Sequence, residues 1–155
     1  MLAPGDVSPD FALPDQSGTV VRLSELLAQG PVVLFFYPMA MTTGCTAEAC
    51  NFRDLAAEFS QAGAQRLGIS ADSVDKQKEF AEKNSFDYPL LSDVDREVAA
   101  AFGVRRRFGP SPVKRATFVI GQDGVIIHTI SSELRMNKHA DEALQIVLNL
   151  PGQHG

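Results

Sequence analysis

Residues 32–50 read Val32-Val33-Leu34-Phe35-Phe36-Tyr37-Pro38-Met39-Ala40-Met41-Thr42-Thr43-Gly44-Cys45-Thr46-Ala47-Glu48-Ala49-Cys50. The apolar run over 32–37 is short and rich in β-branched and aromatic residues, which is typical of a strand covered on both faces. Pro38 has no amide hydrogen to donate and ends such a strand. The segment therefore predicts a buried strand followed by a helix that carries both cysteines of the chain.

The residues after Pro38 predict a helix that begins close to the first cysteine. Thr42 and Thr43 offer hydroxyls that can cap a helix start. Apolar residues then recur at helical spacing over 45–61, at Cys45, Ala49, Phe52, Ala56 and Phe59. Free amides and the dipole at a helix start favour negative charge. A cysteine in that position can have its pKa lowered from about 8.5 to roughly 3.5–7.5.

An inert thiol is the competing interpretation of Cys45. The residue shares a helix face with Phe52 and Phe59, and a buried cysteine often behaves as a small hydrophobe. The neighbouring Pro38, Thr42 and Gly44 suit a tight loop around a polar reaction, and they favour a reactive thiol.

Composition bounds the class of protein. A chain of 155 residues predicts a single domain, 1–155, with a sizeable core. The formal net charge of -5 argues against nucleic acid as a partner. No apolar stretch approaches the roughly 20 residues of a membrane span, and residues 1–6 show no signal-peptide core. Two cysteines in such a chain indicate redox chemistry in a reducing compartment, so we expect a cytoplasmic protein.

The remaining segments alternate between strand and helix patterns. Two short strands flank the turn at 15–18 and form an N-terminal hairpin, and a second hairpin turns at 122–124. The predicted strands are 11–13, 19–23, 65–70, 115–120 and 125–130, and the predicted helices are 24–28 (capped by Ser24), 73–83, 94–102 and 137–148. This alternation predicts an α/β fold with helices on both faces of a central mixed sheet.

The pattern Pro38-x-x-x-Thr42-x-x-Cys45 resembles the active-site motif of the peroxiredoxins, which are thiol-dependent peroxidases. The run over 42–54, with a second cysteine five residues after the first, is similar to the bacterioferritin comigratory protein branch, also called the Q type. Further matching segments are Gly5-Asp6-x-x-Pro9-Asp10-Phe11, 88–93 and 115–120. The resemblance covers nearly the whole chain and implies a thioredoxin-like fold.

The resemblance implies a role for each residue of the site. The Cys45 thiolate would attack peroxide, with Thr42, nearby backbone amides and Arg115 as donors to the transition state. Pro38 would shield the thiolate. Glu48, three residues after Cys45, shares its helix face. Because an unpaired carboxylate there would oppose thiolate formation, we expect Glu48 to pair with an arginine, either Arg115 or Arg53.

Cys50 would be the resolving thiol of an atypical 2-Cys enzyme. In an intact helix, residues five apart have Cα atoms ~8–9 Å apart and point about 140° away from each other. A disulfide needs no more than about 7 Å. A Cys45–Cys50 bond therefore requires the first turns of the helix to unwind, and the cycle would need an ordered and an unwound conformation.

The expected partners follow from the same resemblance. They are a peroxide substrate and a dithiol reductant such as thioredoxin or a glutaredoxin-like protein, with no bound cofactor, nucleic acid or membrane. The chain would be a monomer or a weak homodimer. His128, His139 and His154 share no metal-ligand spacing, so no metal is expected. The basic stretch 105–112 is interpreted as a solvated loop that offsets nearby acids.

Two rival functions remain at this point. A disulfide oxidoreductase acting on proteins would usually carry Cys-x-x-Cys, which this chain lacks. A non-enzymatic interaction module would have inert thiols, which thiol titration would reveal.

Overall fold

The computed structural model describes residues 1–108, 111–133 and 135–150. The strands are β1 (Ala12–Pro14), β2 (Val20–Arg22), β3 (Val32–Phe36), β4 (Gln65–Ser70), β5 (Leu90–Ser92), β6 (Ala116–Ile120) and β7 (Ile126–Ser131). The helices are α1 (Leu23–Leu27), α2 (Thr43–Asp54), α3 (Ala56–Gln61), α4 (Val74–Asn84), α5 (Glu97–Ala101) and α6 (Met136–Leu148). β1 and β2 form the predicted hairpin, and the other strands form a sheet in the order β5-β4-β3-β6-β7.

The strand β3 lies at the centre of this sheet. It runs parallel to β4 and antiparallel to β6, and all five of its residues are buried. A strand with neighbours on both edges and cover on both faces needs a continuous apolar sequence, which is what residues 32–36 supply. The mixed sheet follows from this pairing, because β4 and β5 are also parallel whereas β6 and β7 are antiparallel.

Helices cover both faces of the sheet, as predicted. Alternate residues of β3 point to opposite faces. Phe35 and its neighbours pack with α2, α3, α4 and α6, whereas Leu34 and Phe36 pack with α1 and α5. The rings of Phe35 and Phe52 stack with centroids 4.3 Å apart, which fixes α2 on the middle of the sheet. The fold class expected from the sequence is therefore confirmed.

The predicted single helix over 45–61 is wrong, because two helices occupy that segment. α2 ends at Asp54 and α3 begins at Ala56, with Leu55 between them at φ -98° and ψ 21°. The guanidinium of Arg66, on β4, donates to the carbonyl oxygen of Phe52 at 2.8 Å and takes over an acceptor at the end of α2. A long-range contact of this kind leaves no mark in the local periodicity.

Two helix starts also differ from the prediction. Ser24 does not cap α1. It lies inside that helix and hydrogen-bonds Asp10. The helix predicted over 94–102 is limited to Glu97–Ala101, because the Asp93 carboxylate accepts hydrogen bonds from the amides of Val98 and Ala99 and so fixes where the helix begins.

Three further features bear on the sequence predictions. The strand β5 was not predicted, because its three residues show no alternation and, unlike β1 and β2, are not marked by a hairpin turn. Among the described residues, no helix is long and apolar enough to cross a membrane. His154 and part of the basic stretch, Gly109 and Pro110, lie outside the described residues.

Candidate active site

The loop between β3 and α2 places Cys45 in the first turn of α2. Met41 has φ 71°, in the left-handed region that residues with a side chain rarely adopt. The amide of Ala40 donates to Asp72 Oδ2 at 2.7 Å, which ties the loop to the segment after β4. Thr42 is the N-cap by position, but its hydroxyl donates to the Met39 carbonyl at 2.8 Å and does not cap the helix. The predicted capping bond of Thr42 is therefore wrong, whereas the helix start is close to the predicted place.

The sulfur of Cys45 is buried beside a guanidinium group. Cys45 is 1% exposed, and Arg115 Nη2 donates to its sulfur at 3.2 Å. A contact with a permanent cation is not the environment of an inert hydrophobe. Gly44 leaves room for the Arg115 guanidinium, because a Cβ at position 44 would lie 3.3 Å from Arg115 Nη2 and 3.5 Å from the sulfur of Met136.

The sheet topology brings Arg115 to Cys45. β6 runs antiparallel to β3, and Ala116 at its start pairs with Phe36 at the end of β3. Arg115, the residue before β6, therefore lies at the edge of the sheet where the chain enters α2. Arg115 is only 6% exposed, and its second guanidinium nitrogen, Nη1, donates to Glu48 Oε1 at 2.8 Å.

Glu48 pairs with Arg115, which decides between the two arginines that the sequence left open. Arg53 instead binds Asp54 at 2.9 Å and the carbonyl of Asn84 at 2.8 Å. The Glu48 carboxyl is fully buried. Burial raises its pKa to about 8, against the opposing effect of the Arg115 charge. A carboxyl with such a pKa binds a proton at neutral pH much more readily than an exposed one.

Cys50 lies on a different side of α2, in a looser environment. Its side chain is half-buried, and its sulfur is 3.9 Å from Asn84 Oδ1 at the end of α4. Both cysteines are free thiols in this structure. Beside Cys50, the Ala49 carbonyl accepts a 2.7 Å hydrogen bond from the Tyr88 hydroxyl. Pro38 is half-buried at the end of β3.

The buried Cys45 thiol in contact with Arg115 occurs in a chain that is similar to proteins of known family. Residues 4–129 match the AhpC/TSA family. The chain belongs to this family. The chain is 40% identical over 158 residues to peroxiredoxin Bcp of Escherichia coli, covering 99% of this chain and 97% of that protein.

Two solved structures support the same assignment. The crystal structure of peroxidoxin BcpB from Mycobacterium tuberculosis matches with a TM-score of 0.91 and 58% identity, covering 95% of this chain and 97% of that one. The Xanthomonas campestris bacterioferritin comigratory protein, described for its alkyl peroxide reduction activity, matches with a TM-score of 0.82 and 31% identity over 95% of each chain. The chain is thus a thioredoxin-like peroxiredoxin of the Bcp and Q branch, and a thiol peroxidase.

Two residues near the thiol of this peroxiredoxin were not predicted from the sequence. Glu133 accepts hydrogen bonds from the amide of Arg115 at 3.1 Å and from Arg106 Nη2 at 2.7 Å. The basic stretch therefore contacts the site through Arg106. Glu133 comes shortly after β7 and belongs to no motif, so no local pattern could have revealed its contact with Arg115.

His139 is the second missed residue. It is fully buried on α6, where it lies 3.4 Å from Glu48 Oε2. The sequence offered one signal, because His139 precedes Ala143 and Val147 by four and eight residues and so shares their apolar face. A histidine on such a face is easily taken for a core residue.

Proposed function

We propose that this peroxiredoxin reduces hydrogen peroxide and organic hydroperoxides through Cys45. The thiolate attacks one oxygen of the peroxide, the O–O bond breaks, and Cys45 becomes a sulfenic acid. The departing oxygen takes up a proton and leaves as water or an alcohol. The observation that carries this proposal is the 3.2 Å contact between Arg115 Nη2 and the Cys45 sulfur.

Arg115 supports the reaction by its fixed charge. The transition state spreads negative charge over the sulfur and both oxygens, and donors already in place stabilise it without rearranging. Arg115 is buried and held by Glu48 on one side and by Glu133 at its backbone amide. A guanidinium held in this way presents its donors in a defined direction. The first turn of α2 adds its free amides beside the sulfur.

Pro38 and Thr42 would complete the pocket in which peroxide meets the sulfur. Pro38 ends β3 and would shield the thiolate from bulk water. The resemblance implied that the Thr42 hydroxyl donates to the transition state, but in this structure it donates to the Met39 carbonyl at 2.8 Å. Its oxygen lone pairs are left to accept the hydrogen of a hydroperoxide. This geometry supports a role for Thr42 in orienting the substrate.

Cys50 would react with the Cys45 sulfenic acid, as the resolving cysteine of an atypical 2-Cys enzyme does. Its thiol attacks the Cys45 sulfur, a disulfide forms within one chain, and water leaves. The two residues lie in one α2 helix, where the Cα distance is ~8–9 Å and too long for a disulfide. The start of α2 must therefore unwind, and the loose surroundings of Cys50 favour such a movement.

A dithiol protein would close the cycle by exchange with this disulfide. Thioredoxin or a glutaredoxin-like protein has the required chemistry. The alkyl peroxide activity of the Xanthomonas campestris relative supports organic hydroperoxides as substrates.

The experiment is a peroxide assay with the purified chain, thioredoxin, thioredoxin reductase and NADPH, run with hydrogen peroxide and with cumene hydroperoxide. We expect NADPH oxidation that depends on the chain and on each peroxide. Consumption of peroxide with dithiothreitol but not with thioredoxin would exclude thioredoxin as the reductant and leave the chemistry at Cys45 intact. Disulfide exchange on proteins without peroxide consumption would favour the oxidoreductase alternative.

A further inference from the structure

His139 contacts the oxygen of the Glu48 carboxyl that Arg115 does not bind. Its Nδ1 lies 3.4 Å from Glu48 Oε2 and 2.7 Å from the Thr117 hydroxyl. Its other nitrogen, Nε2, lies 2.8 Å from the carbonyl oxygen of Ser132. The imidazole is completely buried, so these contacts decide where its proton is.

The Ser132 carbonyl fixes the proton of His139 on Nε2, because a carbonyl oxygen can only accept a hydrogen bond. Burial lowers the pKa of His139, and the nearby charge of Arg115 lowers it further. The ring is therefore neutral and carries one proton. Its Nδ1 is left with a lone pair, which faces Thr117 and Glu48.

Glu48 Oε2 is buried and has no hydrogen-bond partner in the described part of the chain. If Glu48 were ionised, the lone pairs of Oε2 would face the lone pair of His139 Nδ1. This repulsion is unfavourable in a region that water does not reach. A proton on Oε2 removes this repulsion and makes the acid a donor to Nδ1. Closing the 3.4 Å gap by a few tenths of an ångström gives a normal hydrogen bond. Because Nδ1 has one lone pair, the Thr117 hydroxyl at 2.7 Å competes with the Glu48 proton for it.

We propose that His139 is a positioning residue that holds Glu48 as a neutral carboxylic acid, so that the positive charge of Arg115 is left to the Cys45 sulfur. An ionised Glu48 would compete with the Cys45 thiolate for the same guanidinium. A neutral Glu48 still accepts through Oε1 and keeps Arg115 in place. The inference rests on Cys45 being the reacting thiol.

The other ionisable groups near the pair have partners of their own. Glu133 lies 4.0 Å from Arg115 Nε and is paired with Arg106. Glu142, on the same helix as His139, is paired with His128 at 2.7 Å. The buried Tyr88 hydroxyl has its pKa raised by burial and is neutral. Among the described residues, Cys45 and Glu48 are the groups that accept hydrogen bonds from the Arg115 guanidinium, and Glu133 lies at the longer distance.

The first test replaces Glu48 by its neutral isostere in a Cys50→Ser background, where Cys45 is the only thiol. At neutral pH, the infrared difference spectrum between the parent and Glu48→Gln should contain the C=O band of a carboxylic acid. The pH midpoint for alkylation of Cys45 by iodoacetamide should move by less than about half a unit. If Glu48 is ionised, the acid band is absent and the substitution lowers the midpoint by about 1 unit or more, the size expected for loss of a neighbouring like charge. That result would overturn the proposal.

The second test separates the role of His139 from simple packing. His139→Leu keeps the volume but removes the acceptor, whereas His139→Asn keeps an acceptor oxygen near the position of Nδ1. In His139→Leu, the acid band of Glu48 should disappear at a lower pH than in the parent, and the alkylation midpoint should rise. His139→Asn should restore both values. The half-exposed His128 gives the matched control, because His128→Leu should change neither.

Equal behaviour of His139→Leu and His139→Asn would overturn the proposal, since packing alone would then explain His139. If His139→Leu does not fold, the Glu48→Gln comparison still decides the protonation of Glu48. Neither readout uses peroxide. A failure of the proposed peroxidase cycle would therefore leave these measurements interpretable, and a failure here would leave the cycle untouched.

Discussion

The two cysteines lie five residues apart in α2 and have different surroundings. Cys45 is 1% exposed and touches the guanidinium of Arg115 at 3.2 Å. Cys50 is half-buried, and the polar contact of its sulfur with Asn84 Oδ1 is 3.9 Å long. One sulfur is held in a charged pocket and the other is held weakly. The difference suits a thiol that is held ready for peroxide and a thiol whose side chain is free to meet it once the start of α2 has unwound.

The backbone of α2 shows a matching difference between its two ends. Its start follows the left-handed Met41 and lacks a side-chain cap from Thr42. Its second half is fastened from outside, because Tyr88 donates to the Ala49 carbonyl and Arg66 to the Phe52 carbonyl, at 2.7 Å and 2.8 Å. Unwinding that brings the cysteines together would therefore begin at the start of the helix and stop near Ala49.

The different roles of the two cysteines are tested most directly by removing each sulfur in turn. We expect Cys45→Ser to abolish peroxide reduction, because a serine hydroxyl is not ionised at neutral pH and is a poor nucleophile without an adjacent base. The assay is peroxide consumption with thioredoxin, thioredoxin reductase and NADPH. Turnover at the wild-type rate in Cys45→Ser would remove Cys45 from the reaction.

The matched variant Cys50→Ser should behave differently. It should consume one equivalent of peroxide and then stop as a sulfenic acid, which dimedone labelling and mass spectrometry would detect. A small thiol should restart it. Unchanged turnover with thioredoxin would show that Cys50 is not the required resolving residue.

The second prediction compares two arginines, Arg115 before β6 and Arg53 on α2. Arg115→Ala should slow the attack on peroxide by about 10²–10³-fold, the usual cost of losing one preorganised donor to a transition state. Arg53→Ala, the matched control, should leave this step within a few-fold, because Arg53 contacts Asp54 and Asn84 instead of Cys45. Stopped-flow rates at several pH values would measure both. Equal losses in the two variants would contradict the assignment of Arg115.

The parts of this structure that were predictable from the sequence are those with long, regular patterns. β3, β4 and α6 follow their apolar runs to within about two residues, the usual uncertainty of element ends. The short elements β5 and α5 were missed or misplaced because so few residues carry little periodicity. The break at Leu55 depends on Arg66, which is distant in sequence, so no local pattern could show it.

Contacts between residues that are distant in sequence also limited the prediction of the site. The motif around Cys45 contains Thr42, and the family resemblance of residues 115–120 pointed to Arg115. The antiparallel pairing of β6 with β3 explains why Arg115 reaches the sulfur. His139 and Glu133 are brought in by the packing of α6 and by the segment before it. The helical spacing of His139 places it on an apolar face but does not show which side chain it contacts, and Glu133 belongs to no motif.

The third prediction tests the difference between the two ends of α2. On oxidation by peroxide, amide hydrogen exchange should rise over residues 43–49, while residues 52–54 and α3 stay protected. Mass spectrometry of the oxidised monomer should show a Cys45–Cys50 link within one chain. A link found only between chains, or unchanged protection over 43–49, would reject the unwinding cycle.

The substitution Tyr88→Phe should lengthen the part of α2 that unwinds on oxidation. The substitution removes the donor to the Ala49 carbonyl and should cost about 1 kcal/mol of folding free energy, as for a typical hydrogen bond. Exchange in the oxidised form should then extend past Ala49. As a control, the exchange of α4 should not change.

The last prediction concerns Glu48 and is measured on stability, not on turnover. Its folded pKa of about 8 lies above its ordinary value of 4.5, so between these two pH values the folded chain holds a proton that the unfolded chain has lost. The free energy of unfolding therefore falls as pH rises through this window. Glu48→Gln has no such group, so the stability of the parent relative to this variant should decline from about pH 4.5 to about pH 8. Urea unfolding at a series of pH values, in a Cys50→Ser background, measures the difference and cancels the other ionisable groups. A difference that is flat or rises with pH would mean that Glu48 is ionised in the folded chain, and that Arg115 is shared by two anions.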